Sequence, residues 1–288
     1  MVLLMSSKKV DRIIQSMGEL PTLPTIYMKL SNLLNQPDPS INKITKIISE
    51  DPAIAAMVLK IVNTAAYSIR NQIGDLQHAI VILGLNEIKH LVLASSIYKI
   101  VKEFKSSSAF DMPAFWKHSV GCAIVAKVLA ETAHLNSPEE VFTAGLLHDI
   151  GKMIHAGYFH EEFNAVIADV AETGSQMFQS EQKILGFEHA QTGGTLAEKW
   201  RLPQATINMI VHHHMSYIPS TLTREMAAVH IANSLCIALR LGSGGEKRVP
   251  IVNQKAWESL ALKLSDLDYI MQRASKLYEE SASIMDFE

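Results

Sequence analysis

Cysteine is scarce in this chain. Cys122 and Cys236 are the only two cysteines among 288 residues, and each lies in an apolar segment with helical spacing and without a CxxC pattern. A disulfide framework of the kind found in small secreted domains requires more cysteines at regular spacings. We therefore predict two buried, reduced thiols in a cytoplasmic protein.

The sequence also lacks a long hydrophobic run and an excess of one charge. No segment approaches the roughly 18 to 20 apolar residues that a membrane span requires, and the apolar start, Met1–Met5, is too short for the core of a signal peptide. The net charge is −3 and the pI is about 6.5, so there is no general attraction to nucleic acid or to an anionic membrane. We expect a cytoplasmic protein without a membrane partner, and nucleic acid is disfavoured as a partner.

Alternating strand patterns of convincing length are missing, whereas helical spacing of apolar residues recurs along nearly the whole chain. Ile54, Met57 and Val58, for example, fall on one face of a helix. Helix starts are marked by a capping residue followed by proline, at Asp51-Pro52 and at Ser137-Pro138. The sequence therefore predicts an all-α protein.

A serine-rich stretch divides the predicted helices into two groups. Ser106-Ser-Ser108 has the composition of a linker, and Pro113 then begins a long helix. We predict two helical lobes, residues 8–108 and residues 109–288. The glycine-rich stretch Gly242-Ser-Gly-Gly245 follows a helix rather than a strand, so it is predicted to be a flexible loop and not a phosphate cradle.

Histidine is plentiful, with 12 residues, and several lie in predicted helices after the linker. Single ligands from several helices can assemble a metal site inside a helical bundle, and imidazole with carboxylate favours Zn, Fe, Mn or Ni over Mg or Ca. Adjacent helical residues diverge by about 100°, so His148 and Asp149 can bind one ion together only near a helix end, or else bind two neighbouring ions. The residues that could contribute to such a site are His118, His148, Asp149, His189, His212, His213, His214, His230 and Asn233.

Each of these residues also has a structural interpretation. A single histidine on an apolar helix face is usually hydrogen-bonded within the core, and Lys152 alone is typical of a helix C-terminus, where the dipole favours a cation. The combination of His148-Asp149 with Gly151 and Lys152 favours a functional site. Gly151 would let the chain turn away close to a metal, and Lys152 would meet an anionic group such as phosphate.

A second polar pair, Asn63 and Tyr67, lies one helical turn apart in the predicted N-terminal lobe. These side chains can face a pocket or a partner. We expect them instead to lock the lobe through hydrogen bonds, because polar residues in buried helices need partners.

The sequence resembles the HD superfamily of metal-dependent phosphohydrolases and, more closely, the HDOD proteins, the HD-related output domains of bacterial signalling. His118 is followed thirty residues later by His148-Asp149, with Gly151-Lys152 behind the pair. The resemblance covers roughly residues 10–245. Its remaining segments are Leu20-Pro-Thr-Leu-Pro24, Ile48-Ser-Glu-Asp-Pro52, Ile61-Val-Asn-Thr-Ala-Ala-Tyr67, Ala79-Ile-Val-Ile-Leu-Gly84, Gly186-Phe-Glu-His189, Trp200-Arg-Leu-Pro203 and Ile210-Val-His-His213.

The resemblance implies a two-lobed helical fold and a regulatory role, since most HDOD proteins have no established catalytic activity. HD enzymes hold a metal through a His, the His-Asp pair and a distant Asp. The first three correspond to His118, His148 and Asp149, whereas the position of the distant Asp holds Asn233. An amide is a neutral, weaker ligand than a carboxylate, and it contributes less to lowering the pKa of a metal-bound water.

The related HD-GYP proteins, which hydrolyse cyclic di-GMP, bind several metals with further histidines. Those histidines correspond to His189, His212 and His213 in this chain. The Gly-Tyr-Pro signature is missing, because the sequence after His213 reads His-Met-Ser-Tyr-Ile-Pro219. Hydrolysis of cyclic di-GMP is therefore disfavoured.

Three functions remain open from the sequence. The first is a regulatory module that acts through a signalling protein partner, and it is favoured by the HDOD-like N-terminal segments and by Asn233. The second is a metal-dependent phosphohydrolase acting on a nucleotide or another phosphoester, with Asp149 and Lys152 as catalytic residues. The third is a pocket that binds a small anionic ligand, such as a nucleotide, without turnover.

Overall fold

The computed structural model describes residues 21–34, 36–63, 72–103, 110–215 and 221–285. Within these ranges the regular secondary structure is helical, and no strand occurs. The prediction of an all-α protein is confirmed.

The backbone packs into two compact units. One unit contains residues 21–102 together with the end of the last helix from Lys276, and the other contains residues 103–275. The predicted boundary at residue 108 falls within residues 104–109, outside the described residues.

Two helices of the smaller unit begin at capping carboxylates. Asp51 accepts hydrogen bonds from the backbone N–H groups of Ala53 and Ile54, and Asp75 accepts one from His78. The fully buried core side chains of this unit include Leu30, Ile44, Ile48 and Val58. Its helices are α1 (Thr25–Leu34), α2 (Ile41–Ser49), α3 (Pro52–Val62), α4 (Leu76–Leu83) and α5 (Leu85–Glu103).

Asn63, just after α3, ties together two parts of the smaller unit. Its amide group donates to the carbonyl oxygens of Leu59 and Ile73, and its Oδ1 accepts from the N–H of Ile73. Asn63 therefore locks the chain through hydrogen bonds, as expected. Its predicted companion, Tyr67, lies outside the described residues.

Helices α4 and α5 join at Gly84, whose φ of 81° is in the left-handed region that glycine adopts readily. The two helices are bent by 113° relative to each other. In the described part of the chain, no single helix is long and apolar enough to cross a membrane. Only this bent pair meets the length and composition of a span.

The larger unit is organised around α6, which is buried on almost all sides between Phe115 and Ala130. Small residues allow neighbouring helices to approach α6 closely. Gly145 on the helix Pro138–Leu147 is an example, because a Cβ there would lie only 2.9 Å from the Cα of Ala123 on α6. Helices α7 and α13 both pack against α6. The helices of this unit are α6 (Met112–Thr132), α7 (Pro138–Leu147), α8 (Ile150–Tyr158), α9 (His160–Thr173), α10 (Met177–Ile184), α11 (His189–Lys199), α12 (Gln204–Val211), α13 (Arg224–Ala238) and α14 (Gln254–Leu260). The last helix, α15 (Leu264–Met285), begins in this unit, and its end from Lys276 belongs to the smaller unit.

The His148-Asp149 pair occupies the break between α7 and α8. His148 follows the last residue of α7, and Asp149, with φ −98° and ψ 4°, precedes the first residue of α8. The pair therefore lies at a helix end, where the side chains of His148 and Asp149 can both point toward the same site.

Gly151 has a different role from the predicted one. It lies inside α8 and not at a turn, and a Cβ at this position would lie 2.8 Å from the carbonyl carbon of His189 and 2.9 Å from the amide nitrogen of Gly193. The glycine therefore allows the backbones of α8 and α11 to touch, which brings His189 toward the His-Asp pair.

Candidate metal centre

Polar side chains from three helices and two helix ends meet inside the larger unit. Helix α6 contributes His118, α8 contributes Lys152 and α11 contributes His189. The α7–α8 break and the turn after α12 add further histidines and an aspartate. The fully buried members are His118, His148, Asp149, Lys152, His189 and His213.

Asp149 is at the middle of this cluster. Its Oδ2 lies 3.3 Å from Nε2 of His148 and 3.6 Å from Nε2 of His118. Its Oδ1 lies 3.0 Å from Nε2 of His189 and 3.5 Å from Nε2 of His213. Both carboxylate oxygens thus face imidazole nitrogens that come from different helices.

In His148 and His213, a hydrogen bond made by Nδ1 determines which nitrogen of the ring carries the proton. Nδ1 of His148 lies 2.8 Å from the carbonyl oxygen of Gly145, and Nδ1 of His213 lies 2.7 Å from that of Ile210. Because a carbonyl oxygen only accepts hydrogen bonds, each Nδ1 carries the proton. In the neutral ring, the lone pair of each Nε2 therefore points into the cluster, as in a metal ligand.

Five buried atoms in the cluster have no hydrogen-bond partner. They are Nε2 of His118, His148 and His213, Oδ1 of Asp149 and Oε2 of Glu246. Oδ1 of Asn233, buried on α13, has no hydrogen-bond partner either. An unsatisfied buried polar atom costs about 1–3 kcal/mol, so several of them converging in one cluster suit the binding of a cation. The donor set of imidazole and carboxylate fits a divalent transition metal.

Two groups of side chains have their ligand atoms within 4.8 Å of one another. One group contains His118, His148 and Asp149, and the other contains His189, His213 and His214. The arrangement can therefore hold one ion in either group, or two neighbouring ions.

The electrostatics of the cluster keep His118, His213 and Asp149 in the forms that bind metals. Burial lowers the pKa of His118 and of His213 to about 4, so both rings are neutral at pH 7. Burial opposes ionisation of Asp149, but the charges of His148 and Lys152 hold its pKa well below the usual range. Neutral imidazoles and an ionised carboxylate are the forms that bind metals.

Glu181 on α10 binds Nδ1 of His189, the ring nitrogen that does not face Asp149. Its Oε2 accepts hydrogen bonds from Nδ1 of His189 at 2.6 Å and from the backbone N–H of His189 at 2.8 Å. Its Oε1 lies 3.0 Å from Nδ1 of His155, whose Nε2 contacts Thr192 at 2.9 Å. Despite burial, the two histidines lower the pKa of Glu181.

The interaction with Glu181 also changes the protonation of His189. Burial lowers its pKa, but Glu181 and Asp149 outweigh this effect and raise the pKa to about 9. The protonated ring forms an ion pair with Asp149, with Nε2 of His189 3.0 Å from Oδ1. A bound cation would take the place of this proton.

Replacing Glu181 with glutamine is expected to weaken metal binding. The amide has one acceptor oxygen where the carboxylate has two, so it cannot accept from His155 and His189 together. Loss of such a supporting contact typically reduces metal affinity about 10- to 100-fold. Competition with a chelating dye measures the change. Glu198→Gln, at an exposed position on α11, is the control, and equal affinities in the two variants would contradict the role given to Glu181.

The structure brings together His118, His148, Asp149, His189 and His213, as the sequence predicts. It does not place His212 in either group; that side chain is half-buried beyond the end of α12. Its place is taken by His214, whose Nε2 lies 2.8 Å from Nε2 of His189. Consecutive residues at a helix end point in different directions, so the three histidines cannot all face the cluster.

Sequence reasoning missed Glu181 and Glu246, both of which reach the cluster from outside the recognised motifs. Lys152 donates to Oδ2 of Asp149 at 2.7 Å and to the carbonyl oxygen of Gly244 at 3.0 Å, and it also pairs with Oε1 of Glu246. Burial lowers the pKa of Lys152, but the carboxylates of Asp149 and Glu246 outweigh it and raise the pKa above its usual value. The sequence contains only one indication of these two glutamates, which is that Glu246 directly follows the glycine-rich stretch Gly242-Ser-Gly-Gly245.

Comparison with known proteins identifies the fold family. The sequence profile of the HDOD domain matches residues 20–216. The chain belongs to the HDOD family. A crystal structure of an HDOD domain protein of unknown function from Geobacter sulfurreducens is similar to this HDOD chain, with 27% identity and a TM-score of 0.84. The match covers 99% of this chain and 98% of that one.

Three other proteins are also similar to this chain. A candidate metal-dependent phosphohydrolase from Shewanella amazonensis SB2B shares the fold, with a TM-score of 0.67, 18% identity and coverage of 99% of each chain. An uncharacterized protein of Treponema pallidum (strain Nichols) is 23% identical over 230 residues, which are 79% of this chain and 44% of that protein. YuxH of Bacillus subtilis (strain 168) is 26% identical over 129 residues, which are 45% of this chain and 31% of YuxH. The HDOD chain thus spans less than half the length of these curated relatives.

Proposed function

We propose that this protein is a bacterial, cytoplasmic regulatory module whose larger unit binds a divalent transition metal. It acts through a signalling protein partner or a small anionic ligand and not through turnover. The observation that carries the proposal is the set of buried, unpartnered nitrogen atoms on His118, His148 and His213, which converge around Asp149.

The charge balance of the cluster supports a divalent cation. Asp149, Glu181 and Glu246 are buried carboxyl groups with lowered pKa values, and Lys152 is the buried ammonium that pairs with two of them. Together these groups carry a net charge of −2, which protonated His148 and His189 balance in the metal-free protein. A divalent ion that displaces those two protons would keep the buried site neutral, and uncompensated buried charge is costly. The imidazole-rich set favours Fe, Mn, Zn or Ni.

Two features favour regulation over hydrolysis. Asn233 provides no charge at the position of the distant aspartate of HD enzymes, so the centre has fewer carboxylate ligands to activate a water. Lys152, the residue that would hold a phosphate oxygen, already pairs with Glu246. The metal would then have a structural or ligand-sensing role in a signalling protein.

Metal analysis of matched histidine variants tests this proposal. We expect stoichiometric transition metal in the native protein, and loss of most of it in His213→Ala because Nε2 of His213 points into the cluster. His212→Ala is the control, since His212 belongs to neither ligand group, and it is expected to keep its metal. Native protein that takes up no divalent metal, or equal metal contents in the two variants, would refute the proposed site.

A second candidate function is a metal-dependent phosphohydrolase. It is favoured by the contact between Lys152 and Asp149, since a metal would polarise a phosphate and supply hydroxide while Lys152 holds a phosphate oxygen. The candidate phosphohydrolase from Shewanella amazonensis SB2B has the same fold. Incubation of metal-loaded protein with a panel of nucleotides separates the two functions. Strong hydrolysis that is lost in Asp149→Asn would establish the enzyme and overturn the regulatory proposal.

A further inference from the structure

A glycine-rich segment, the Gly242–Glu246 loop, covers the cluster on the side of Lys152. The N–H of Ser243 donates to the carbonyl oxygen of Ala114 at 2.9 Å, which ties the loop to α6. Gly242 has φ 72°, and a Cβ there would lie 2.6 Å from the same oxygen. A residue with a side chain at position 242 would therefore be strained and would also hold the loop away from α6.

The backbone of this loop lies directly on the candidate metal centre. A Cβ on Gly244 would lie 2.9 Å from Oδ2 of Asp149 and 3.1 Å from Cδ2 of His118. Ser243 and Lys247, on either side of the buried part of the loop, are exposed. The Gly242–Glu246 loop is therefore the layer that separates the centre from solvent on this side.

Glu246 carries a carboxylate into the buried cluster. Its side chain is only 5% exposed; Oε1 pairs with Nζ of Lys152, and Oε2 has no hydrogen-bond partner. A Cβ on Gly244 would be 2.7 Å from Oε2 of Glu246, which places that oxygen beside Asp149. The protein thus places one of its own carboxylates, that of Glu246, beside the candidate metal centre.

This anion takes up the remaining donor capacity of Lys152. An ammonium group has three N–H donors, and Lys152 contacts Asp149, the carbonyl oxygen of Gly244 and Glu246. Asp149 and Gly244 belong to the framework of the site, whereas Glu246 reaches Lys152 as a side chain. An oxyanion from solution can contact Lys152 only after Glu246 leaves.

We infer that Glu246 is an internal ligand that occupies the place of an external oxyanion, of the phosphate class, on Lys152. Binding of that oxyanion requires the Gly242–Glu246 loop to move outward. The inference rests on the proposed function for the metal beside Lys152, but the contact between Lys152 and Glu246 does not depend on a metal. The site is therefore closed in its resting form and opens when an anion displaces Glu246.

Phosphate titration of a Glu246→Ala variant tests the inference. We expect inorganic phosphate to bind about tenfold tighter or more than in the wild type, because Lys152 regains a charge-assisted donor. The titration is run by calorimetry on metal-free and on metal-loaded protein. Adenosine monophosphate is titrated in parallel, so that preference for free phosphate or for a phosphate monoester is also measured.

Three further variants keep the result interpretable. Glu198→Ala, at an exposed glutamate, should bind phosphate as the wild type does, and Glu246→Gln, which keeps the size of the side chain, should give a smaller gain than Glu246→Ala. Adding Lys152→Met to Glu246→Ala should abolish the gain. A folded Glu246→Ala or Glu246→Gln protein with unchanged or weaker phosphate binding overturns the inference. Failure to bind metal affects only the proposed function, because the metal-free titration is read separately.

Discussion

Replacing Gly151 with alanine is expected to lower the free energy of unfolding by about 3 kcal/mol or more, because its Cβ would overlap backbone atoms. The carbonyl group of His189 and the amide of Gly193 lie against this glycine, and neither can rotate away as a side chain can. Helices α8 and α11 must separate to accept the methyl group. Since α8 carries Lys152 and α11 carries His189, the metal affinity should fall together with the stability.

The change in Gly151→Ala is measured by urea unfolding of the metal-free protein. Gly74→Ala is the matched control, because a Cβ there would have no neighbour within 4 Å and the residue has no left-handed φ. This control should change the free energy of unfolding by less than about 1 kcal/mol. A Gly151→Ala protein as stable as Gly74→Ala would mean that α8 and α11 do not pack as closely as described.

The second large effect is expected for Asp149→Asn, which should abolish stabilisation of the protein by metal. At a free metal concentration 1,000 times the dissociation constant, binding to the folded state adds about 4 kcal/mol to the free energy of unfolding. Asp149 is the carboxylate that faces His118, His148, His189 and His213. The asparagine keeps the shape of the side chain and removes its charge, so we expect almost none of this gain.

Thermal unfolding with and without Mn²⁺ or Zn²⁺ measures the stabilisation. Asp169→Asn is the control, because Asp169 pairs with Lys183 at the surface and lies outside both ligand groups. This variant should keep the full metal-dependent shift in Tm. If Asp149→Asn is stabilised by metal as strongly as Asp169→Asn, the ion binds elsewhere and the candidate centre is wrong.

Much of the fold could be predicted from local sequence signals. Pro52 and Pro138 lie in the first turn of α3 and α7, as the cap-and-proline pattern predicts. Apolar spacing identified most of the helices, because a helix presents the same face every three to four residues regardless of its neighbours. The resemblance to HDOD proteins was carried by segments that the family profile also matches over residues 20–216.

The candidate centre could be predicted only in part. His118, His148, Asp149, His189 and His213 were recognised as ligands because their types and order match a known pattern. The choice between neighbours within the His212–His214 run could not be made, since it depends on how the chain turns after α12. His214 faces His189, and the direction of that turn is set by tertiary packing.

Residues that act through long-range contacts left little trace in the sequence. Glu181 lies eight residues before His189 and resembles any charged residue on a helix surface, yet the packing of α10 and α11 buries it completely. Glu246 is separated from Lys152 by 94 positions. A carboxylate becomes part of a buried site only when the whole chain has folded around it.

The amino-acid sequence by itself determined the helical class, the HDOD family and most of the candidate metal ligands of this protein. Those properties depend on local periodicity and on residue types at matching positions. The tertiary structure decided that Gly151 serves close helix packing, that His214 and Glu181 join the centre, and that Glu246 closes it over Lys152. These features depend on distances between residues far apart in the chain, and such distances are defined only by the packed fold.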